Sequence, residues 1–554
     1  MEIVETKFSD GKYFRPVTLT YVGKSINVNF PYNATLKDEV KAMEGARFDW
    51  DTKTWKIDNS ARNKWGIAFL EGKKPYARYE QKYVDIPPKR ALYGHQVEAF
   101  QWGLTVRRGI MAYEMGLGKT LVSIEIMEQV GGDWWWVGPK RPLEAVHIEM
   151  KKWGCKNRPD MMTYEQFVKK MQEWPEGKKG PIGIVFDEAQ KLKTPGTKRT
   201  KTALHTSQYL DYVFLLTGTP APKSPLDWWS LCEIAQPGFL RESNIHKFQR
   251  RLALMETVSM EGGSSFPRLV TWYDNENKCK ICGQFQDGFK HDENTALTLG
   301  GDYHRYQKSV DEIQKLYRRM KGLVVIKFKK DCLELPPKQY RKVYCKLDKK
   351  FKHYVSLFQS KATSALEKLT WMRELSDGFI YNEKKETKHI GSPKEEALKE
   401  LLDEFEDLKR IVVFAGFTAS VDLCAEICSK AGWTTIKLDG RGMVSKYQNP
   451  LISFLDETIE EKIAFVAQPD SGGVGLNLQS AEVMIFYSNS FKGESRMQAE
   501  DRIHRPGMKG SATIIDIFCL PTDEYVYDNI QKKKDLQAVT MGEINNAMSV
   551  DLGG

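Results

Sequence analysis

Apolar and polar positions change period repeatedly along the 554-residue chain. Near the start, the alternation in Ser25-Ile-Asn-Val-Asn-Phe30 puts every second side chain on one face and predicts a strand. Phe48-Asp-Trp50 and Thr54-Trp55-Lys-Ile57 flank Asp51-Thr-Lys53, which reads as a hairpin turn. Further on, the apolar run Gly109-Ile-Met-Ala112 enters a glycine-rich stretch, and the apolar-periodic segment from Leu121 to Val130 leaves it. Trp134-Trp-Trp-Val-Gly138, Ile182-Gly-Ile-Val-Phe186 and Phe214-Leu-Leu216 read as buried strands, with the tryptophans as core. A second series follows: Ile411-Val-Val-Phe414, Thr435-Ile-Lys-Leu438, Ile463-Ala-Phe-Val466, Met484-Ile-Phe486 and Thr513 to Phe518. Apolar strands alternating with helical stretches predict parallel sheets covered by helices on both faces, an α/β fold. Ser392-Pro393-Lys-Glu395 has the N-cap, first-turn proline and third-position glutamate of a capping box. It opens a helix carrying Leu398, Leu401, Leu402, Phe405 and Leu408 on one face.

These patterns divide the chain. Residues 1–72 read as a small α/β module, 73–90 as a basic linker and 91–240 as a first lobe. Residues 241–335 read as a charged insertion, 336–391 as a helical protrusion, 392–540 as a second lobe and 541–554 as a tail. The net charge of +10 favours a polyanionic partner without naming one. No apolar run approaches membrane-spanning length, and no basic segment precedes an apolar one at the N-terminus. Nine scattered cysteines fit a reducing cytosol. With the short accessory regions, that suggests a bacterial or phage-infected cell.

The candidate chemistry is concentrated in a few stretches. Tyr113-Glu-Met-Gly116-Leu-Gly118-Lys119-Thr120 sits between a strand and a helix, the context a phosphate-binding loop requires. Glycines let backbone N–H groups turn onto phosphate oxygens, Lys119 reaches the terminal phosphates and Thr120 holds Mg²⁺. Gly116 and Gly118 are the loop glycines, and Tyr113 occupies a position usually given to a small residue. Gln96, about twenty residues upstream, has an amide that donates and accepts, as the edge of adenine requires. Asp187-Glu188 ends an apolar strand, which suits Asp187 to Mg²⁺ and Glu188 to the attacking water. Gly472-Gly-Val-Gly475-Leu-Asn477 is a second glycine-rich loop where nucleotide or DNA could approach the backbone. Arg502 and Arg505, three apart, share one face if helical and could reach across a cleft to a γ-phosphate. Cys279-Lys-Ile-Cys282, with His291 and His304 downstream, is half of a structural zinc site or a loop of free thiols.

Taken in order, with Thr217-Gly-Thr219-Pro220, Arg318-Arg319 and Leu335-Pro-Pro337-Lys338, this set resembles the Swi2/Snf2 group of superfamily 2 motor ATPases. The resemblance spans roughly residues 90 to 535. It implies two RecA-like lobes closing on ATP and Mg²⁺, with Lys119, Thr120, Asp187 and Glu188 on one and Arg502 and Arg505 on the other. It also implies candidate DNA contacts at Lys140, Thr163, Lys193, Lys223, Gly472 and Asn477, and a nucleotide contact at Gly475. Phe30-Pro-Tyr32, Lys41, Gly45-Ala-Arg47-Phe-Asp49 and Trp55 resemble the HepA-related (HARP) domain of annealing helicases. Gln190 stands where many members have His, and Pro506-Gly507-Met508 ends the arginine motif where Gly-Gln is typical.

The expectation is a monomeric ATPase stimulated by and translocating on double-stranded DNA, remodelling forked or branched DNA. Two rivals are a nucleotide-gated DNA-binding scaffold with weak hydrolysis and a strand-separating helicase. DEAD-box RNA helicases carry Ser-Ala-Thr where this chain has Thr217-Gly-Thr219, so strand separation of that type is not indicated.

Overall fold

The computed structural model describes residues 2–9, 14–71, 83–175, 177–218, 224–240, 242–259, 265–274, 311–361, 364–381, 386–472, 476–505, 508 and 510–532. Three sheets organise them. The first is antiparallel and five-stranded, built from Glu2–Ser9, Phe14–Val22, Ser25–Asn29, Thr54–Asp58 and Arg47–Asp49 in spatial order. Arg47–Asp49 pairs with Thr54–Asp58 through the anticipated turn, where Asp49 accepts from the backbone of Asp51 and Thr52. Val17, Leu19, Ile26, Val28 and Ile57 form its buried face against the helix Ala34–Ala42. Trp50 is not core: it is 81% exposed at the hairpin tip.

The second sheet has six parallel strands, in the order Val324–Lys327, Arg108–Tyr113, Tyr212–Leu216, Gly183–Asp187, Trp134–Gly138 and Asp160–Thr163. Both faces are covered over the four central strands, which is why those read as continuous apolar runs. Trp134 and Trp136 pack into one core and Trp135 into the other. Gly183 lies opposite Trp134 in register; a Cβ there would come within 2.4 Å of the Trp134 ring. The stretch read as an insertion is thus part of the lobe at its end. Val324–Lys327 pairs with Arg108–Tyr113, and Leu316, Tyr317 and Leu323 are buried in the core.

The third sheet has seven strands, in the order Gln339–Tyr344, Thr513–Phe518, Val483–Phe486, Arg410–Phe414, Ile463–Ala467, Thr434–Asp439 and Gly442–Val444. All pairings are parallel except the last. The edge strand Gln339–Tyr344 falls inside the stretch expected as a helical protrusion. Its sequence is mostly polar because one side and one edge face solvent. The helices Lys349–Lys361 and Ala365–Ser376 follow it. The capping box at Ser392 forms on the helix Pro393–Glu404, and the Lys394 ammonium is buried between Asp377 (3.3 Å) and Asp523 (2.9 Å).

The N-terminal module rests on the first lobe. Arg62 donates to Glu233 at 3.0 Å and lies over the Trp229 ring, and the Ser243 N–H donates to the Ala42 carbonyl. No helix among the described residues is long and apolar enough to cross a membrane.

Candidate nucleotide cleft

The cleft is assembled at the carboxyl ends of the two parallel sheets, where open α/β folds bind ligands. After the strand Arg108–Tyr113 the chain turns through Gly116 (φ +84°) and Gly118 (φ +78°) into the helix Lys119–Val130. Both are left-handed conformations that favour glycine and aim successive N–H groups inward. The large residue at position 113 fits because its ring is buried and its hydroxyl donates to the His95 carbonyl at 2.9 Å. The Lys119 ammonium donates to the Tyr113 carbonyl at 2.6 Å. Burial pulls its pKa down to about 8, opposed by the charges of Glu188 and Asp187.

Gln96 is buried against this loop. Its amide donates to the Leu117 carbonyl at 3.2 Å and accepts from the Tyr93 N–H at 3.0 Å. In this arrangement it caps the helix Gly94–Val106 and braces the loop.

Asp187 and Glu188 follow the buried strand as the apolar run implied. Burial, and then the Glu188 charge, push Asp187 up to about 7, while Lys119 and the Glu188 N–H, which donates to it at 2.9 Å, favour its ionised form. Glu188 has φ +51°, a strained conformation for a residue with a side chain. Its carboxylate accepts from Gln190 Nε2 at 2.6 Å, and the same nitrogen donates to Glu494 of the second lobe at 2.9 Å. The Thr217 hydroxyl donates to Gln190 Oε1 at 2.9 Å. Gln190 therefore joins the exits of two first-lobe strands to the facing lobe. The sequence had shown it only as a departure from His.

From the second lobe, Arg502 and Arg505 arrive in a turn rather than on a helical face, because the helix Gly493–Glu500 ends just before them. Arg502 donates to the Leu476 carbonyl at 3.1 Å. Burial and then the Arg505 charge push it down to about 9, with Glu188 and Asp187 opposing. Arg505 stands directly over the phosphate loop, its Cγ 3.6 Å from where a Cβ on Gly116 would lie. Lys329 stands beside it, pairing with Asp501 at 2.6 Å and donating to the His504 carbonyl at 3.2 Å. Lys338 reaches Glu500 and Asp501, both at 3.2 Å. Lys329 and Glu494 went unnoticed in the sequence. The apolar run Val324 to Ile326 just before Lys329 was the available signal.

The donor set fits a nucleoside triphosphate with Mg²⁺: turned backbone amides, an ammonium, the Thr120 hydroxyl, two carboxylates and two guanidiniums. The remaining candidates are more dispersed. Lys140 is exposed at the end of Trp134–Gly138, and Thr163 caps the helix Tyr164–Gln172. Lys193 is paired with Asp227 at 3.2 Å, Asn477 accepts from the Gln479 N–H, and Gly472 ends the short helix Pro469–Gly472. Lys223, Gly475, Cys279, Cys282 and His291 lie outside the described residues. Among the described residues no group of three or more His, Cys, Asp or Glu could hold a metal ion.

Two parallel-sheet lobes thus meet at the cleft, with a phosphate loop on one and paired arginines on the other. Comparison with known proteins adds to this. A SNF2-related domain matches residues 160–395, and a helicase conserved C-terminal domain matches residues 393–507. The transcription regulatory protein SNF2 of Saccharomyces cerevisiae is 21% identical over 523 residues, covering 82% of this chain and 28% of that protein. The probable ATP-dependent DNA helicase CHR23 of Arabidopsis thaliana is 24% identical, covering 81% of this chain and 43% of that one. The chain spans less than half the length of these relatives. A Sulfolobus solfataricus SWI2/SNF2 ATPase core solved in complex with dsDNA aligns with 85% of this chain and 97% of its own. That alignment has 18% identity and a TM-score of 0.35.

Proposed function

We propose that the protein hydrolyses ATP in this cleft and uses closure of the lobes to translocate on double-stranded DNA. The observation that carries the reading is Arg505 of the second lobe standing over Gly116 of the phosphate loop. Thr120 and Asp187 would hold Mg²⁺, which neutralises phosphate charge when bound. Glu188 takes the proton of the attacking water. Lys119 and the two arginines stabilise negative charge on the phosphoryl group. The matched domains, the name of the Arabidopsis relative and the net charge of +10 support DNA as the polymer that drives turnover.

A finer reading concerns forks. The N-terminal hairpin exposes Trp50 between Asp49 and Asp51, with exposed Arg47 and Lys53 two residues further out on either side. An exposed indole suits stacking on an unpaired base, and the outer cations suit its phosphate. The module would direct the motor to forked or branched DNA, for branch migration or annealing.

The test is ATP-dependent displacement of a third strand from triplex DNA, with K119A as control. ATPase rates on duplex, single-stranded and forked DNA accompany it. Displacement that requires ATP and Lys119 is expected. Lys119-dependent hydrolysis that no DNA stimulates would instead support the weakly hydrolysing scaffold, and release of one strand of a plain duplex would support a strand-separating helicase. W50A should lose the preference for forks while keeping duplex stimulation.

A further inference from the structure

Away from the cleft, the first lobe carries a groove of about 1020 Å³. Trp135, Pro181 and Leu210 form its floor at the amino ends of three central strands, opposite the nucleotide site. Met171 and Trp174, at the end of the helix Tyr164–Gln172, make one wall. The other is the helix Lys198–Thr206 with Tyr209, which is 74% exposed.

Its chemistry is both apolar and cationic. Lys178, Lys179, Lys201 and His205 line it, and no carboxylate does among the described residues. The Lys178 ammonium lies 4.7 Å from the Trp174 ring centroid. Lys170, just outside, lies 4.8 Å from the ring of Trp135 and 5.8 Å from that of Trp174. Lys170 already pairs with Asp160, whereas the Lys178 ammonium over the Trp174 face competes with a nucleobase for that face and leaves its outer side open to a carboxylate.

We propose that this groove docks an acidic protein segment bearing an apolar anchor. The anchor would sit on Met171, Trp174 and Leu210, and carboxylates would meet Lys178 and Lys201. Such short acidic motifs with one or two bulky apolar residues bind by anchor burial plus charge. The groove is independent of the nucleotide cleft, so a partner held here can ride with the first lobe while the lobes open and close.

The test uses the full chain and fluorescence anisotropy. The probe is a short labelled peptide of Asp and Glu around a central Leu-Phe pair, and its control carries Ser-Ser in place of the pair. Saturable binding of the probe is expected, weakened about ten-fold by K178E/K201E and by loss of the pair. ATPase rates of this variant, with and without duplex DNA, should match wild type, which also verifies that it is folded. The proposal is overturned if the probe does not saturate, or if K178E/K201E binds it as wild type does. It is equally overturned if duplex DNA displaces the probe and the charge reversal abolishes DNA stimulation, since the groove would then be a nucleic-acid surface.

Discussion

Replacing Gln190 by Ala removes the group that holds Glu188 and Glu494 together across the cleft. Three hydrogen bonds go at once: to Glu188 at 2.6 Å, to Glu494 at 2.9 Å and from Thr217 at 2.9 Å. The residue is 8% exposed, so water does not simply replace the amide. A hydrogen bond to a charged group contributes about 1.5–3 kcal/mol. If losing this bond costs about 2 kcal/mol of orientation of the Glu188 carboxylate towards the water, kcat falls roughly thirty-fold. ATP affinity should change less, because no phosphate-binding group is touched. The assay is steady-state hydrolysis at saturating ATP, with ATP binding measured separately and thermal melting to show that the variant folds. Q190H retains a donor, so it should recover part of the rate. A Q190A turnover within about two-fold of wild type would refute the claim that this amide positions the base.

Other outcomes follow from the same geometry. E188Q should bind ATP yet hydrolyse it about a hundred-fold or more slowly, checked by nucleotide binding and single-turnover hydrolysis. K329M strips Asp501 of a buried partner at 2.6 Å and should loosen lobe closure, read as a larger radius of gyration in X-ray scattering. R62A leaves the buried Glu233 carboxyl without its guanidinium donor and should cost about 1–3 kcal/mol in urea unfolding. Burial pushes the Glu233 carboxyl up to about 7 despite Arg62. The stability it contributes is therefore full below about pH 4.5 and lost as pH rises towards 7; E233Q should flatten that part of the unfolding curve.

The second-lobe strands were legible because a parallel sheet covered on both faces writes unbroken apolar runs. Arg410–Phe414 and Thr513–Phe518 differ from their expected bounds by a residue at most. Gln339–Tyr344 was not legible, since an edge strand with a solvated face has no such run. Val324–Lys327 was masked by the charged residues around it, although Val324 and Ile326 are buried. Within the cleft, Lys119 and Asp187 are announced by local context, strand before and helix after. Glu494, Lys329 and the role of Gln190 arise only where two lobes meet, and nothing local encodes a partner 172 or 304 residues away. Tyr113 looked wrong for a phosphate loop because a sequence does not show that its hydroxyl has the His95 carbonyl to bond.

Hydrolysis by R505A, compared with wild type at saturating ATP and saturating duplex DNA, asks most directly whether a charge from one lobe completes the site on the other. A DNA-stimulated rate reduced about a thousand-fold, with ATP still bound, is the predicted result. DNA-stimulated turnover close to wild type would mean that the face-to-face arrangement of Arg505 and Gly116 is not the catalytic one.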